Sequence, residues 1–388
     1  MSMELSFNLQ IPTQILIGPG RLEELGLAAL PGARPLILAA PSIARTGLLD
    51  RVGGLLAENG ARATVHVLDE GPGLTVEMVE HAARAAAGAD FIVGIGGGRV
   101  LDAAKAAALS AANPGEFWSY VPMGSGGRRR PERPALPVVA IPTTAGSGSE
   151  VTPWAAVRNP ETGEVIPWGD DSTTPVLALV DAEIMAGCPA GATASAGMSA
   201  LVQAMGAYLS TERQPLSTYL SLEAVNLIGK NLPLAVHTPM DGGVRARMAW
   251  AATEAGICAA CSGGVSIVGM AHALVGLCPA LPFGVALGLL ARPYMRAIAP
   301  VATERIIALA GVMGRTAIDR EDPARPLVDA LTHLLASVGL GEKRLRDYGV
   351  TEADLPRATA LTLESPLIHL TPGRTDEASV RSVLDAAW

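Results

Sequence analysis

Two patterns of apolar and polar positions divide the chain. In the first half, short apolar runs alternate with stretches of helical period. Arg34-Pro-Leu-Ile-Leu-Ala-Ala40, Ala63-Thr-Val-His-Val-Leu68, Asp90-Phe-Ile-Val-Gly94 and Leu136-Pro-Val-Val-Ala-Ile-Pro142 read as strands. Residues 48–59, 76–87 and 101–111 read as the helices between them. Strand–helix alternation at this spacing predicts parallel strands with crossover helices, an α/β domain. Gln14-Ile-Leu-Ile-Gly18 and Val176-Leu-Ala-Leu-Val-Asp181 are expected to complete the sheet as an antiparallel pair. From about Pro189 the pattern is helical, over 195–210, 216–230, 243–262, 303–314 and 325–338. The expected organisation is an α/β domain over 1–187 and an all-α domain over 188–388, with a cleft between them.

Between Ala255 and Ala291 no Asp, Glu, Lys or Arg occurs, so a hydropathy window would flag a membrane span. Pro279, Pro282, His272 and several glycines interrupt it, and no second span pairs with it. Buried helices of a helical domain are the expectation, with no membrane partner. The stretch from Met1 to Ile17 alternates polar and apolar residues and lacks the layout of a signal peptide. With 388 residues, 49% of them hydrophobic and 17% charged, the chain has the material for two cores and is too apolar for disorder. Its 29 basic against 37 acidic side chains give a net charge of -8, which argues against a nucleic-acid partner. Four cysteines are too few for a disulfide framework in so long a chain, so a cytoplasmic location is expected. The basic loop from Gly124 to Arg133 reads as a solvated loop, with contact to a cofactor phosphate as the sharper alternative.

Candidate chemistry begins at Gly94-Ile-Gly-Gly-Gly-Arg99, a glycine turn between a strand and a helix. Gly96, Gly97 and Gly98 let backbone approach a bulky anion, and the helix starting near Arg99 aims unpaired N–H groups at it. Arg99 at that helix N-terminus is unfavourable to the dipole unless an anion is bound, which favours a phosphate contact. Asp102 and Lys105, three apart on the same helix, either face the ligand or form a helical ion pair. After the next strand comes Pro142-Thr-Thr-Ala-Gly-Ser-Gly-Ser-Glu-Val-Thr152, dense in small hydroxyl residues. Its Thr143, Thr144, Ser147, Ser149 and Val151 are candidates to wrap the same polar ligand. Both loops follow strands and would share the sheet edge where open α/β sheets bind ligands.

Gly96-Gly-Gly-Arg-Val-Leu-Asp102-Ala-Ala-Lys105 resembles the GGGSxxDxxK motif of the iron-containing (group III) alcohol dehydrogenase family. Pro142-Thr-Thr-Ala-Gly-Ser-Gly-Ser-Glu-Val151 resembles that family's PTTAGTGSEV motif almost letter for letter. The similarity runs from Ile15-Leu-Ile-Gly-Pro-Gly20 through 196–208 to Leu281-Pro-Phe-Gly284. The resemblance implies a dehydroquinate synthase-like fold: a Rossmann-like dinucleotide domain, a helical domain, and a nicotinamide cofactor in the cleft of a homodimer. Family members that prefer NAD often carry an Asp where Ala40 stands. With that carboxylate absent and Ser42 nearby as a donor, NADPH is expected to bind at least as well as NADH.

The family usually holds a divalent metal with one Asp and three His. By resemblance these positions fall on Ser199, Gln203, Val268 and Phe283, and no His occurs between 273 and 332. Ser and Gln are poor ligands for Fe²⁺ or Zn²⁺, so no metal is expected at this place. Cys258, Cys261, His272 and Cys278 have zinc-like types and spacing, against which stands the ordinary burial of small thiols in apolar helices. His272, the one imidazole in the expected cleft, is the candidate proton donor, with titration near neutrality. Ser199 and Gln203 share a helix face and either bind substrate or fill the emptied site. Arg292 could anchor an anionic substrate or be a surface charge at a helix end. The leading expectation is a metal-independent NAD(P)H-dependent oxidoreductase acting on an activated carbonyl, imine or conjugated double bond of a small molecule. A non-redox cyclase, isomerase or lyase, or an inactive homologue retaining the nucleotide, remains the alternative.

Overall fold

The computed structural model describes residues 6–317 and 319–388. Residues 1–5, the start of the alternating N-terminal stretch, lie outside the described residues. The strands are β1 (Gln14–Ile17), β2 (Pro35–Ala39), β3 (Thr64–Val67), β4 (Phe91–Gly96), β5 (Val138–Pro142), β6 (Ala155–Arg158), β7 (Val165–Trp168) and β8 (Leu177–Val180). Helices α1 (Pro41–Ala44), α2 (Leu48–Glu58), α3 (Val76–Ala85) and α4 (Gly98–Ala112) connect the first five strands. Helices α5 (Ala190–Leu209), α6 (Pro215–His237), α7 (Gly242–Ser262), α8 (Ser266–Leu277) and α9 (Phe283–Val312) follow β8. Then come α10 (Arg325–Ser337), α11 (Asp354–Leu363) and α12 (Glu377–Ala387).

Six strands form one sheet in the order β1-β8-β5-β4-β2-β3, and every neighbouring pair is parallel. Both faces are covered, which is why the central strands read as continuous apolar runs. Ile37, Phe91, Val93 and Ile141 pack on one face beneath Val52, Leu55 and Leu56 of α2. Leu36, Leu38, Ile92 and Val138 pack on the other beneath α3 and α4. The expected antiparallel pairing of residues 14–18 with 176–181 is corrected. Gln14 registers with Leu177 and Ile17 with Val180 in parallel, because every strand of this sheet is entered from the same end. The sequence pattern also missed β6 and β7, an antiparallel hairpin with Ala155 opposite Trp168.

The charge-free stretch becomes the end of α7, all of α8 and the start of α9, largely buried in the helical core. Among the described residues no single helix is long and apolar enough to cross a membrane, and the α7–α8 pair is bent by 107° at its break. Helix α9 starts twenty residues before the expected Thr303 and runs through Pro293 and Pro300, with non-helical dihedrals at Ala302. The chain order turns back between β2 and β4, since β3 lies outside β2 and β4 inside it. The turns after β2, β4 and β5 therefore stand side by side at the carboxyl edge, where such a switch makes a crevice.

Candidate active site

Helix α4 begins at Gly97 with no side chain capping its first N–H groups. The hydroxyl-rich loop closes over this end: Thr143 N–H donates to Gly96 O at 2.9 Å. A Cβ on Gly97 would lie 3.2 Å from Thr144 Oγ1, and one on Gly98 would lie 2.7 Å from Ser147 Oγ. Uncapped N–H groups and two partly exposed hydroxyl side chains thus share one spot, which fits a dinucleotide pyrophosphate. The same distances correct one inference from the glycines. Their lack of side chains is required by Thr144, Ser147 and, at Gly96, Val100, so they do not by themselves imply a bound ligand.

Several of the expected cofactor residues brace the two loops. Arg99 is half-buried, and its guanidinium donates to the carbonyls of Asp69 at 3.1 Å, Gly71 at 3.2 Å and Gly73 at 3.4 Å. It ties the segment after β3 to α4 through Nη1. Asp102 accepts from the Ser149 hydroxyl at 2.5 Å and from Ala156 N–H at 3.0 Å, joining α4 to the hydroxyl loop and β6. Ser149 is thereby occupied, and Val151 is buried with its N–H on Gly148 O. Lys105 is fully buried; its ammonium donates to the carbonyls of Ser149 and Thr152, each at 3.0 Å, and to that of Trp154. Burial lowers its pKa to about 8, against the opposing pull of Asp102 and Glu150. Glu150 is buried beside it, accepts from Thr253 of α7 at 2.9 Å, and has its pKa raised by that burial. Ala40 ends the β2 turn and Ser42 is exposed at the start of α1, one strand away from the glycine turn.

The hydroxyl loop also touches the helical half. Gly148, at φ +65°, lies against Gly256 of α7, where an added Cβ would stand 2.6 Å from Gly148 O. Gln203 of α5 donates to Gly146 O at 3.3 Å and to Ser199 Oγ at 2.9 Å. Ser199 and Gln203 therefore satisfy each other and the loop. Phe283 begins α9, and its ring stacks on His272 of α8 with centroids 4.7 Å apart and planes 15° from parallel. A hydroxyl, an amide, the isopropyl of Val268 and a phenyl ring supply no anionic donor, so a dication does not fit this donor set. Nor do the cysteines converge: Cys258 Sγ points to Ser217 O, and Cys278 Sγ to Tyr348 O. Burial pushes the Cys258 thiol up to about 12. Among the described residues, no group of three His, Cys, Asp or Glu could hold a metal ion.

His272 lines a small pocket, open to solvent, between α8, β7 and the end of α11. Burial lowers its pKa to about 4, which corrects the expectation of titration near neutrality. At pH 7 the imidazole is neutral, a donor through one nitrogen and an acceptor through the other. Arg292 is not among the cavity's lining residues; its charged neighbours are Arg344 and Glu342. The basic loop is partly engaged, with Arg129 donating to Pro114 O at 2.7 Å and lying over the Tyr120 ring. Sequence reasoning missed Glu164, Glu364, Ser365 and Leu361 at the cavity, since no motif marks them and the fold assembles them from distant segments.

The model of the iron-containing alcohol dehydrogenase family matches residues 12–182, and that of the family's C-terminal domain matches residues 193–388. The chain belongs to the iron-containing alcohol dehydrogenase family. It is 31% identical over 368 residues to the probable alcohol dehydrogenase EutG of Escherichia coli, covering 93% of this chain and 90% of that one. An archaeal halo-thermophilic alcohol dehydrogenase from a Red Sea brine pool superposes with a TM-score of 0.92 at 26% identity, over 100% of both chains. Sulfoacetaldehyde reductase from Bifidobacterium kashiwanohense, solved in complex with NAD+, superposes at 0.85 with 25% identity, over 99% of each chain. Membership in this alcohol dehydrogenase family makes the protein an oxidoreductase, and the parallel-sheet unit followed by a helical region is the family's architecture.

Proposed function

We propose that the protein is a metal-independent NAD(P)H-dependent oxidoreductase of small molecules. The observation that carries this reading is a pairing. The two dinucleotide loops meet at the uncapped start of α4, while Gln203 and Ser199 close on each other where the family holds its metal. Gly97, Gly98, Thr144 and Ser147 would hold the pyrophosphate, and Ala40 and Ser42 stand where the adenosine ribose is read. The nicotinamide, when bound, exchanges a hydride with the substrate.

The chain's own residues then have two tasks. His272, neutral and partly buried, donates a hydrogen bond to the reacting group, and the Phe283 ring fixes its plane. The cavity walls, apolar at Gly269, Ala273 and Leu361, exclude water from that face. Without a metal the protein forgoes several kcal/mol of transition-state stabilisation, so the substrate brings its own activation as a conjugated carbonyl, imine or conjugated double bond. The remaining assignments are proposals of the same reading: units meeting near residue 187, a cytoplasmic homodimer, and no nucleic-acid or membrane partner. The acidic balance supports the lack of a nucleic-acid partner, and the two family models, which end at 182 and start at 193, support the boundary.

Hydride transfer is tested with NADPH and NADH deuterated at C4 and a panel of aldehydes, keto acids, enones and cyclic imines. Deuterium in the product with stoichiometric cofactor oxidation is the expected result. Product formed with the cofactor unoxidised would replace this reading with a non-redox one.

A further inference from the structure

The cavity at His272 has a charge balance that the family resemblance does not explain. Two carboxylates line it, Glu164 and Glu364, and no lysine or arginine does. Glu164 is only 6% exposed, yet it accepts from Ser125 N–H at 3.0 Å, from the Ser125 hydroxyl, and from the Thr162 hydroxyl at 2.7 Å. Burial opposes its ionisation, but those hydrogen bonds and the nearby Arg357 charge outweigh it, and the carboxyl titrates below its usual range. An ionised carboxylate is therefore built into the wall. Glu364, at the end of α11, is exposed at the mouth. Two further guanidiniums near this wall are directed at carbonyls, Arg158 at Gly276 O at 2.9 Å and Arg128 at Gly124 O at 3.3 Å. His272 adds no positive charge at neutral pH, and it keeps its ring nitrogens for a ligand.

We propose that this cavity takes a cationic small molecule, an ammonium or iminium, held by Glu164 and Glu364 beside His272. An anionic substrate would meet two like charges and no cation in the lining, which disfavours it. A cationic C=N bond also answers the missing metal. It is electrophilic as it stands: when a hydride forms the new C–H bond, the π pair moves to nitrogen and neutralises it, so neither a Lewis acid nor a proton is required. This step rests on the oxidoreductase reading, whereas the charge preference does not.

The two are separated by measuring binding rather than turnover. Calorimetric titration of the NADPH-saturated protein with choline, its neutral carbon isostere 3,3-dimethylbutan-1-ol, and anionic 2-hydroxyethanesulfonate reads the charge preference directly. Choline is expected to bind at least tenfold more tightly than the neutral alcohol, about 1.4 kcal/mol, with the sulfonate weakest. Glu364→Gln, at an exposed position, and Glu164→Gln, which keeps an oxygen for Ser125, should each shrink the ratio of choline affinity to neutral-alcohol affinity. Equal affinities, tighter binding of the sulfonate, no measurable binding of any of the three, or a preference untouched by both variants would overturn the proposal. If NADPH itself fails to bind, the oxidoreductase reading falls, and the same titrations on the cofactor-free protein still decide the charge preference.

Discussion

At the scale of single residues, the environment decides what each functional group does. His272 has the residue type of a proton donor, but burial carries it from an ordinary 6.5 to about 4. In the proposed mechanism it acts as a neutral hydrogen-bond donor, and His272→Ala should lower turnover by about 10²–10³, as loss of one such donor does elsewhere. His272→Gln, which keeps a donor, should lose less. The pH profile of turnover should show no limb near 6.5 from this residue; a His-dependent limb there, absent in His272→Ala, would refute the assignment. Its linkage to stability has a fixed sign. The folded pKa lies below the unfolded one, so the contribution is fully present above 6.5 and is lost as pH falls from there towards 4. Ala40 carries the prediction for cofactor choice. NADPH should bind as tightly as NADH or tighter, and a hundredfold preference for NADH, about 2.7 kcal/mol, would contradict this. Ala40→Asp should weaken NADPH selectively through repulsion of the 2′-phosphate, read by fluorescence titration of both cofactors.

At the scale of elements, α4 is the beam on which the cofactor loops hang. Lys105 fastens the segment 149–154 to it through three carbonyls, and Lys105→Met would leave those acceptors unpaired in the core. A cost of about 3 kcal/mol or more is expected in chemical denaturation, with weaker cofactor binding, because a buried charge network is being broken. Gly256→Ala should act from the other side. Its Cβ would meet Gly148 O at 2.6 Å and push the loop off α7, destabilising by about 1–3 kcal/mol, a typical overpacking cost. The central strands and most helices were legible because burial on both faces writes apolar runs and amphipathic periods into the sequence. The hairpin β6–β7 was not, since its strands are four residues each and flanked by Pro153, Asn159 and Pro160. The direction of β1 against β8 was not either, because it depends on the path of 160 intervening residues rather than on any local pattern. In the site, Gly97, Gly98, Thr144 and Ser147 were legible from their motifs. The intramolecular partners of Arg99, Asp102 and Ser149 were not, as each is brought near only by the fold.

At the scale of the whole molecule, the fold keeps the family's architecture, and the proposed reading is that the place of the family's metal is filled by side chains that do not bind one. Helix α5 presents Ser199 and Gln203 to each other and to the cofactor loop, and α9 presents Phe283 to His272. In the proposed metal-independent reading, electrophilic activation comes from the substrate, which links the donor set to the choice of chemistry. The measurement that tests this most directly is turnover of chelator-treated protein whose iron and zinc content has been fixed by elemental analysis. Metal-stripped protein, with far less than one metal per chain, should oxidise NADPH with an activated carbonyl or imine as fast as untreated protein, and added Fe²⁺ or Zn²⁺ should change nothing. Activity that disappears on chelation and returns with one equivalent of either metal would contradict the account.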